Sequence, residues 1–368
     1  MRAGQLTSQR SRPVECGFRR EGPGCATPAH LEGPQQRRGV PAMKRTWKVA
    51  AVAVVAALGV FGAACEPLDE GGGAGVDGPL TFDSGYVFVR GSANDVYLVN
   101  ASEPNVAQQL TTTGSARHPA LSRDGRSVVY ARFAGTASEL VIQSTTQGST
   151  PRVLLTASGI QATRLGNPIF NPTATQVVFV YTQGTGASTV SLLGLVNADG
   201  TNFRRLAGGA TISYGAPTFL RDGSAVIAPV GSSPNELDGL DEVFVSQVST
   251  LPITNNLQSN QTQLIVANRV ALSPDGTHLA FDAQPVSGGA TRIYVAAFSG
   301  TVVDTAARLS NSNEGQESFP TWTNASSVAF SSSAGGGSDN VYTVNVNSIP
   351  GSLVFAAPSA REPWFGPL

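Results

Sequence analysis

The feature that most constrains this chain is a repeat with a period near fifty residues. Five segments align: HPALSRDGRSVVYA (118–131), NPIFNPTATQVVFV (167–180), APTFLRDGSAVIAP (216–229), RVALSPDGTHLAFD (269–282) and FPTWTNASSVAFSS (319–332). Their second positions, Pro119, Pro168, Pro217, Val270 and Pro320, are spaced by 49, 49, 53 and 50 residues. Each unit opens with a short apolar piece. A turn follows, three times Asp-Gly (Asp124–Gly125, Asp222–Gly223, Asp275–Gly276), where glycine supplies a positive φ and Asp accepts from its own turn. A β-rich run comes next, such as Ser127–Tyr130, Val177–Val180 or Leu279–Phe281. A third run lies about ten residues on, at 96–99, 140–142, 190–195, 243–245, 293–296 and 341–344. A fourth short strand is expected to end near Leu110, Leu155, Leu206, Ile265, Leu309 or Phe355. Four short strands per fifty residues describe one blade of a β-propeller, and self-similarity at this period is the sign of such an array. The expectation is an all-β, six-bladed propeller of four-stranded blades over residues 79–368. Pro363, Trp364 and Phe365 repeat the start of a unit, so the C-terminal strand is expected to complete the first blade and close the ring. The alternative inner strand for that blade is Leu80–Phe82.

The N-terminal quarter does not take part in the repeat. Residues 44–65 read KRTWKVAAVAVVAALGVFGAAC: basic residues, thirteen apolar ones from Val49 to Phe61, then Gly62, Ala63, Ala64 and Cys65. A short apolar run behind a basic flank, ending in small residues, is the pattern of a secretory signal, and it is short for a membrane span. With Cys65 directly after the small residues, the segment resembles a bacterial lipoprotein signal, although Gly62 stands where that pattern usually carries an aliphatic residue. The resemblance implies lipid attachment at Cys65. Residues 43–64 are then the signal peptide, and 65–78, with EPLDEGGGAGVDG, a flexible Gly-rich tether. Residues 1–42, rich in Arg, Gly and Pro, are read as a start-site extension or a disordered segment ahead of an initiator at Met43.

Charge narrows the partners. The whole chain balances 24 basic against 25 acidic residues, but the region from Cys65 onward holds fourteen arginines, no lysine and 22 acidic residues, a net charge of −8. That argues against nucleic acid, which requires a basic face. With Cys65 as the single cysteine of that region, no internal disulfide is expected.

LSPDGTHLAF at 272–281 resembles the SPDG-type, WD-like repeat of the TolB-like six-bladed propellers, with LSRDGRSVVY (121–130) and FLRDGSAVIA (219–228) as weaker copies. The likeness spans residues 79–368 and implies the fold. It says little about function, because folds of this kind host binding proteins, peptidase gates and lyases. TolB carries a separate N-terminal α/β domain where this chain has a short tether, so TolB's role is not expected to transfer whole.

Motifs for catalysis are sparse. There is no G-x-S-x-G elbow, no HExxH or CxxC for zinc, and no Gly-rich phosphate loop; no cofactor is expected. The loop PNELDGLDE offers Glu236, Asp238, Asp241 and Glu242 to a hard cation, but its spacing is not that of an EF-hand and a solvated acidic loop is the simpler reading. His278, beside the Asp275–Gly276 turn, is read as an exposed turn residue. Phe170, Phe219, Trp322 and Trp364 are read as core between blades. The residues just ahead of each inner strand are expected to converge at one mouth of the central channel, giving a polar rim of His118, Asn167, Arg269, Arg361 and Glu362. Two functions lead the expectations, ahead of a third, a purely structural envelope protein whose partner reads only the outer loops. The first is a lipid-anchored cell-envelope module that binds a protein or glycan. The second is a lyase or hydrolase with His118, Arg269 and Glu362 at the channel mouth.

Overall fold

The computed structural model describes residues 82–368 apart from Gly337; the signal-like segment, the tether and Cys65 lie outside the described residues. These residues fall within one compact unit, Ala74–Leu368. Six antiparallel sheets follow one another along the chain, four of them four-stranded and two five-stranded. The first blade contains Gly85–Arg90, Asp95–Asn100 and Ala107–Gln109, and its inner strand is Ala360–Gly366, from the far end of the chain. Gly85 pairs with Gly366 and Arg90 with Ala360, so the ring is closed as the terminal repeat predicts.

The middle of each second strand carries the same buried position. Phe88, Tyr130, Phe179, Ile227, Phe281 and Phe330 are 0–1% exposed, one per blade. Burying a side chain of this size contributes about 1.5–3 kcal/mol, so this position stabilises every blade in the same way. It also explains the local shape of the inner strands. In four blades two inner-strand residues face this one aromatic: His118–Pro119 opposite Tyr130, Asn167–Pro168 opposite Phe179, Phe319–Pro320 opposite Phe330, and Glu362–Pro363 opposite Phe88. Two residues opposite one is a β-bulge, which bends the strand and re-aims a side chain. A proline suits the second place because it needs no ladder partner there. The residue before it takes the left-handed region in every case, with φ of 53° at His118, 47° at Asn167, 57° at Phe319 and 54° at Glu362.

The bulges move the strand starts relative to the sequence reading. The inner strands begin at Ala116, Arg164, Thr262, Glu317 and Ala360. The candidate rim residues therefore sit within strands and not ahead of them. A second correction concerns Ile265. The fourth strand of blade 4 is Thr250–Thr254, and Ile265 belongs to the eleven-residue inner strand Thr262–Leu272 of blade 5. The run Leu264–Val266 has the β-forming composition of either strand, and only pairing assigns it: Ile265 sits opposite Gln284 of the next strand. His278 opens the strand His278–Pro285, half-buried, with Nδ1 2.8 Å from Thr277 Oγ1 and its ring 6.3 Å from Trp322.

Candidate functional site

The inner strands bring His118, Asn167 and Arg269 to a small cavity of about 10 Å³ inside the channel, with Trp364 on its wall. Each bulge also exposes a backbone N–H that must find an acceptor within the ring. Glu362, 1% exposed, accepts the His118 N–H at 2.5 Å through Oε2. Its Oε1 lies 2.7 Å from Arg117 Nε, an ion pair without hydrogen-bond alignment. His118 Nδ1 in turn accepts the Asn167 N–H at 3.3 Å. On the other half of the ring the caps come from second strands. Asp282, fully buried, accepts from Asn268 N and Nδ2, Arg269 N and Phe319 N at 2.8–2.9 Å. Ser331 Oγ accepts the Glu362 N–H at 2.8 Å. At four blade junctions, a side chain of one blade caps the bulge of the next.

Electrostatics follow from this enclosure. His118 keeps some surface toward the cavity, yet its pKa is lowered to about 4, first by desolvation, with Glu362 opposing and Arg269, Arg117 and Arg164 reinforcing. The imidazole is neutral at pH 7. Arg269 is 5% exposed, lies 5.1 Å from the Phe319 ring centre and 5.4 Å from that of Trp364, and donates to Pro363 O at 3.3 Å. Burial lowers its pKa to about 10, so it remains a cation, balanced by Asp282 and Glu362. Burial also raises the Asp282 pKa, against the pull of its four donors. Arg361 turns away from the cavity: its Nη2 donates to Gly91 O at 2.9 Å and to Asn94 Oδ1. Asn167 Oδ1 is buried without a partner.

The acidic loop does not assemble. Glu236 accepts from Ser232 Oγ at 2.5 Å, Asp238 from Gln263 Nε2 at 2.8 Å and Asp241 from Tyr214 Oη at 2.7 Å. Asp241 and Glu242 are neighbours on the strand Gly239–Phe244, where successive side chains point to opposite faces. Among the described residues no group of three or more His, Cys, Asp or Glu is placed to hold a metal ion.

A larger concavity opens at the other end of the inner strands. It is a funnel of about 250 Å³, open to solvent, to which all six blades contribute. Ile169, Phe170, Phe219, Trp322 and Trp364 supply apolar wall, and Arg123 and Arg221 stand on it from the turns of blades 2 and 4. The sequence reading missed this site. Phe170 and Trp322 are buried as core residues, at 8% and 2% exposed, but Phe219 and Trp364 are only half-buried, and all four face the funnel. The available signal was register: Arg123 and Arg221 each precede the Asp-Gly of their repeat, so they occupy the same place in their blades.

Neither a family model nor a curated protein matches this chain. Solved structures do. TolB from Acinetobacter baumannii superposes with a TM-score of 0.55 at 16% identity, over 77% of this chain and 66% of that one. The chain thus spans just under two thirds of that TolB. A chain of a nidogen–laminin complex gives 0.54 at 9% identity, over 77% of this chain and 98% of that one. A puromycin-hydrolyzing peptidase from Mycobacterium tuberculosis gives 0.50 at 16% identity, over 77% and 45%. The fold is that of a six-bladed β-propeller. At these identities the likeness carries the fold alone, and the same fold serves a hydrolase and a protein found in a binding complex.

Proposed function

We propose that this chain is a binding module of the bacterial cell envelope, exported and lipid-anchored through Cys65, which presents the funnel to a partner. The observation that carries the reading is the contrast within the channel. The polar groups that a lyase or hydrolase would use, His118 and Glu362, are engaged in capping backbone N–H groups and in an ion pair, whereas the funnel is wide, aromatic and open. The signal-like segment ending at Cys65 and the Gly-rich tether support the anchor.

The test places a photo-crosslinking phenylalanine analogue at Phe219, in the funnel, or at Val248, 77% exposed on blade 4. A discrete adduct in intact envelopes from Phe219 and none from Val248 is expected. Adducts from Val248 alone would sink the funnel as the recognition face. Intact mass and membrane partitioning beside a Cys65→Ser variant test the anchor. A diacylglyceryl mass and membrane pelleting of the parent only are expected, and an unlipidated soluble parent would remove the anchor from the reading.

A further inference from the structure

The funnel's lining restricts what can enter it. Its polar side chains are almost all hydrogen-bonded within the chain. Ser122 Oγ bonds Asp124 at 2.6 Å and Ser273 Oγ bonds Asp275 at 2.5 Å. Asn171 Oδ1 accepts from Thr175 N at 2.8 Å, Thr218 Oγ1 from Leu272 N at 3.2 Å and Thr321 Oγ1 from Phe365 N at 3.1 Å. Trp322 Nε1 donates to Ala271 O at 2.9 Å. Among the described residues, the lining side chains that make no hydrogen bond or ion pair are Arg123, Arg221 and the indole N–H of Trp364, and all three are donors only.

Two consequences follow. The unengaged side chains favour a ligand whose polar groups accept, and with two exposed guanidinium groups the favoured acceptor is a carboxylate. A neutral glycan offers these guanidinium groups only hydroxyl oxygens, weaker acceptors than a carboxylate. The floor, where Ile169, Val270, Pro320 and Trp364 meet, offers apolar contact. The two arginines come from the strand-to-strand turns, farther along the chain than the floor residues Ile169 and Val270 are in their own blades, so charge lies toward the opening and apolar surface beneath it. Asp124 and Asp222, next to these arginines in the chain, accept within their own turns and are not part of the lining, so the guanidinium groups are the charged side chains that line the funnel.

We infer that the funnel receives an apolar side chain carried on an acidic segment of a protein partner, with flanking carboxylates meeting Arg123 and Arg221. This rests on the binding reading above and specifies its partner. The arginines form a local cationic site on a region whose net charge is −8. Such a partner would be held there by local complementarity, and attraction between whole molecules would play no part.

The described part of the chain provides its own reporter, because its tryptophans are Trp322 and Trp364 and both face the funnel. In the full chain with Trp47→Phe, tryptophan emission is titrated with four probes. These are a blocked pentapeptide with a central phenylalanine between glutamates, its lysine-flanked counterpart, its serine-centred counterpart, and maltohexaose. Only the first is expected to shift the emission saturably, with affinity that weakens as salt rises. Arg123→Ala with Arg221→Ala is expected to weaken it at least tenfold, and Arg123→Glu with Arg221→Glu to transfer the preference to the lysine-flanked peptide. Both arginines are exposed, so unchanged thermal midpoints are expected to exclude unfolding. Equal binding of the lysine-flanked or serine-centred peptide, or of maltohexaose, overturns the inference while leaving a binding funnel. Silence of all four probes also overturns it, and silence of the Phe219 crosslinker as well removes the binding reading.

Discussion

Inside the channel, Glu362 and His118 on inner strands and Asp282 on a second strand hold acceptor atoms already engaged by backbone N–H groups. In the turns that follow the inner strands of blades 2 and 4, Arg123 and Arg221 line the funnel with no partner. Both regions place convergent polar side chains on a concave surface, yet their environments give them different work. The bulges create buried donors, and a buried donor left unmet costs about 1–3 kcal/mol, so the first set is held by the fold. The turn arginines are exposed and stabilise nothing visible, which leaves them available to a ligand. A polar cluster in a channel is therefore a candidate site only after the backbone's own requirements have been met.

The largest effect that could break this comparison is at Asp282. Asp282→Ala strands three backbone donors and the Asn268 amide, and should destabilise the fold by about 3–5 kcal/mol in urea unfolding. A loss under 1 kcal/mol would mean that the caps are incidental. Glu362→Ala, which removes one N–H acceptor and the Arg117 pair, should cost about 2–3 kcal/mol.

His118 sharpens the comparison through pH. Its folded pKa, lowered to about 4, lies below the ordinary 6.5, so between those values the unfolded chain binds a proton that the native state refuses. The stability is full above pH 6.5 and falls as pH drops toward 4, with a slope approaching about 1.4 kcal/mol per pH unit. The difference between the parent and His118→Gln, measured from pH 7 to pH 4, should show that slope; a flat difference would place the imidazole in solvent. The smallest effect is expected at the funnel, where Arg123→Ala with Arg221→Ala should change stability by less than about 0.5 kcal/mol. A larger loss would give those arginines a structural duty and weaken the contrast.

Much of the architecture was legible because each blade repeats the same instruction. The positions Pro119, Pro168, Pro217, Val270 and Pro320 recur every 49–53 residues ahead of a buried run, and Pro363–Trp364 announces the strand that closes the ring. Ile265 was misplaced because Leu264–Val266 suits either of two strands, and only pairing chooses. His118, Asn167, Arg269 and Glu362 were legible as a converging group, since equivalent repeat positions must meet around an axis. Their relation to the backbone was not legible, because the bulge depends on two residues facing one buried aromatic across the sheet.

By itself the sequence determined the blade count, the direction of closure and the composition of the channel, because period and turn chemistry are local properties repeated six times. The tertiary structure alone decided which polar groups are occupied. Whether a carboxylate is free depends on N–H groups from a neighbouring blade, as Glu362 accepts from a residue 244 positions away. The same holds for the funnel, whose wall is assembled from inner-strand ends and turns of six blades and exists only once the ring is closed.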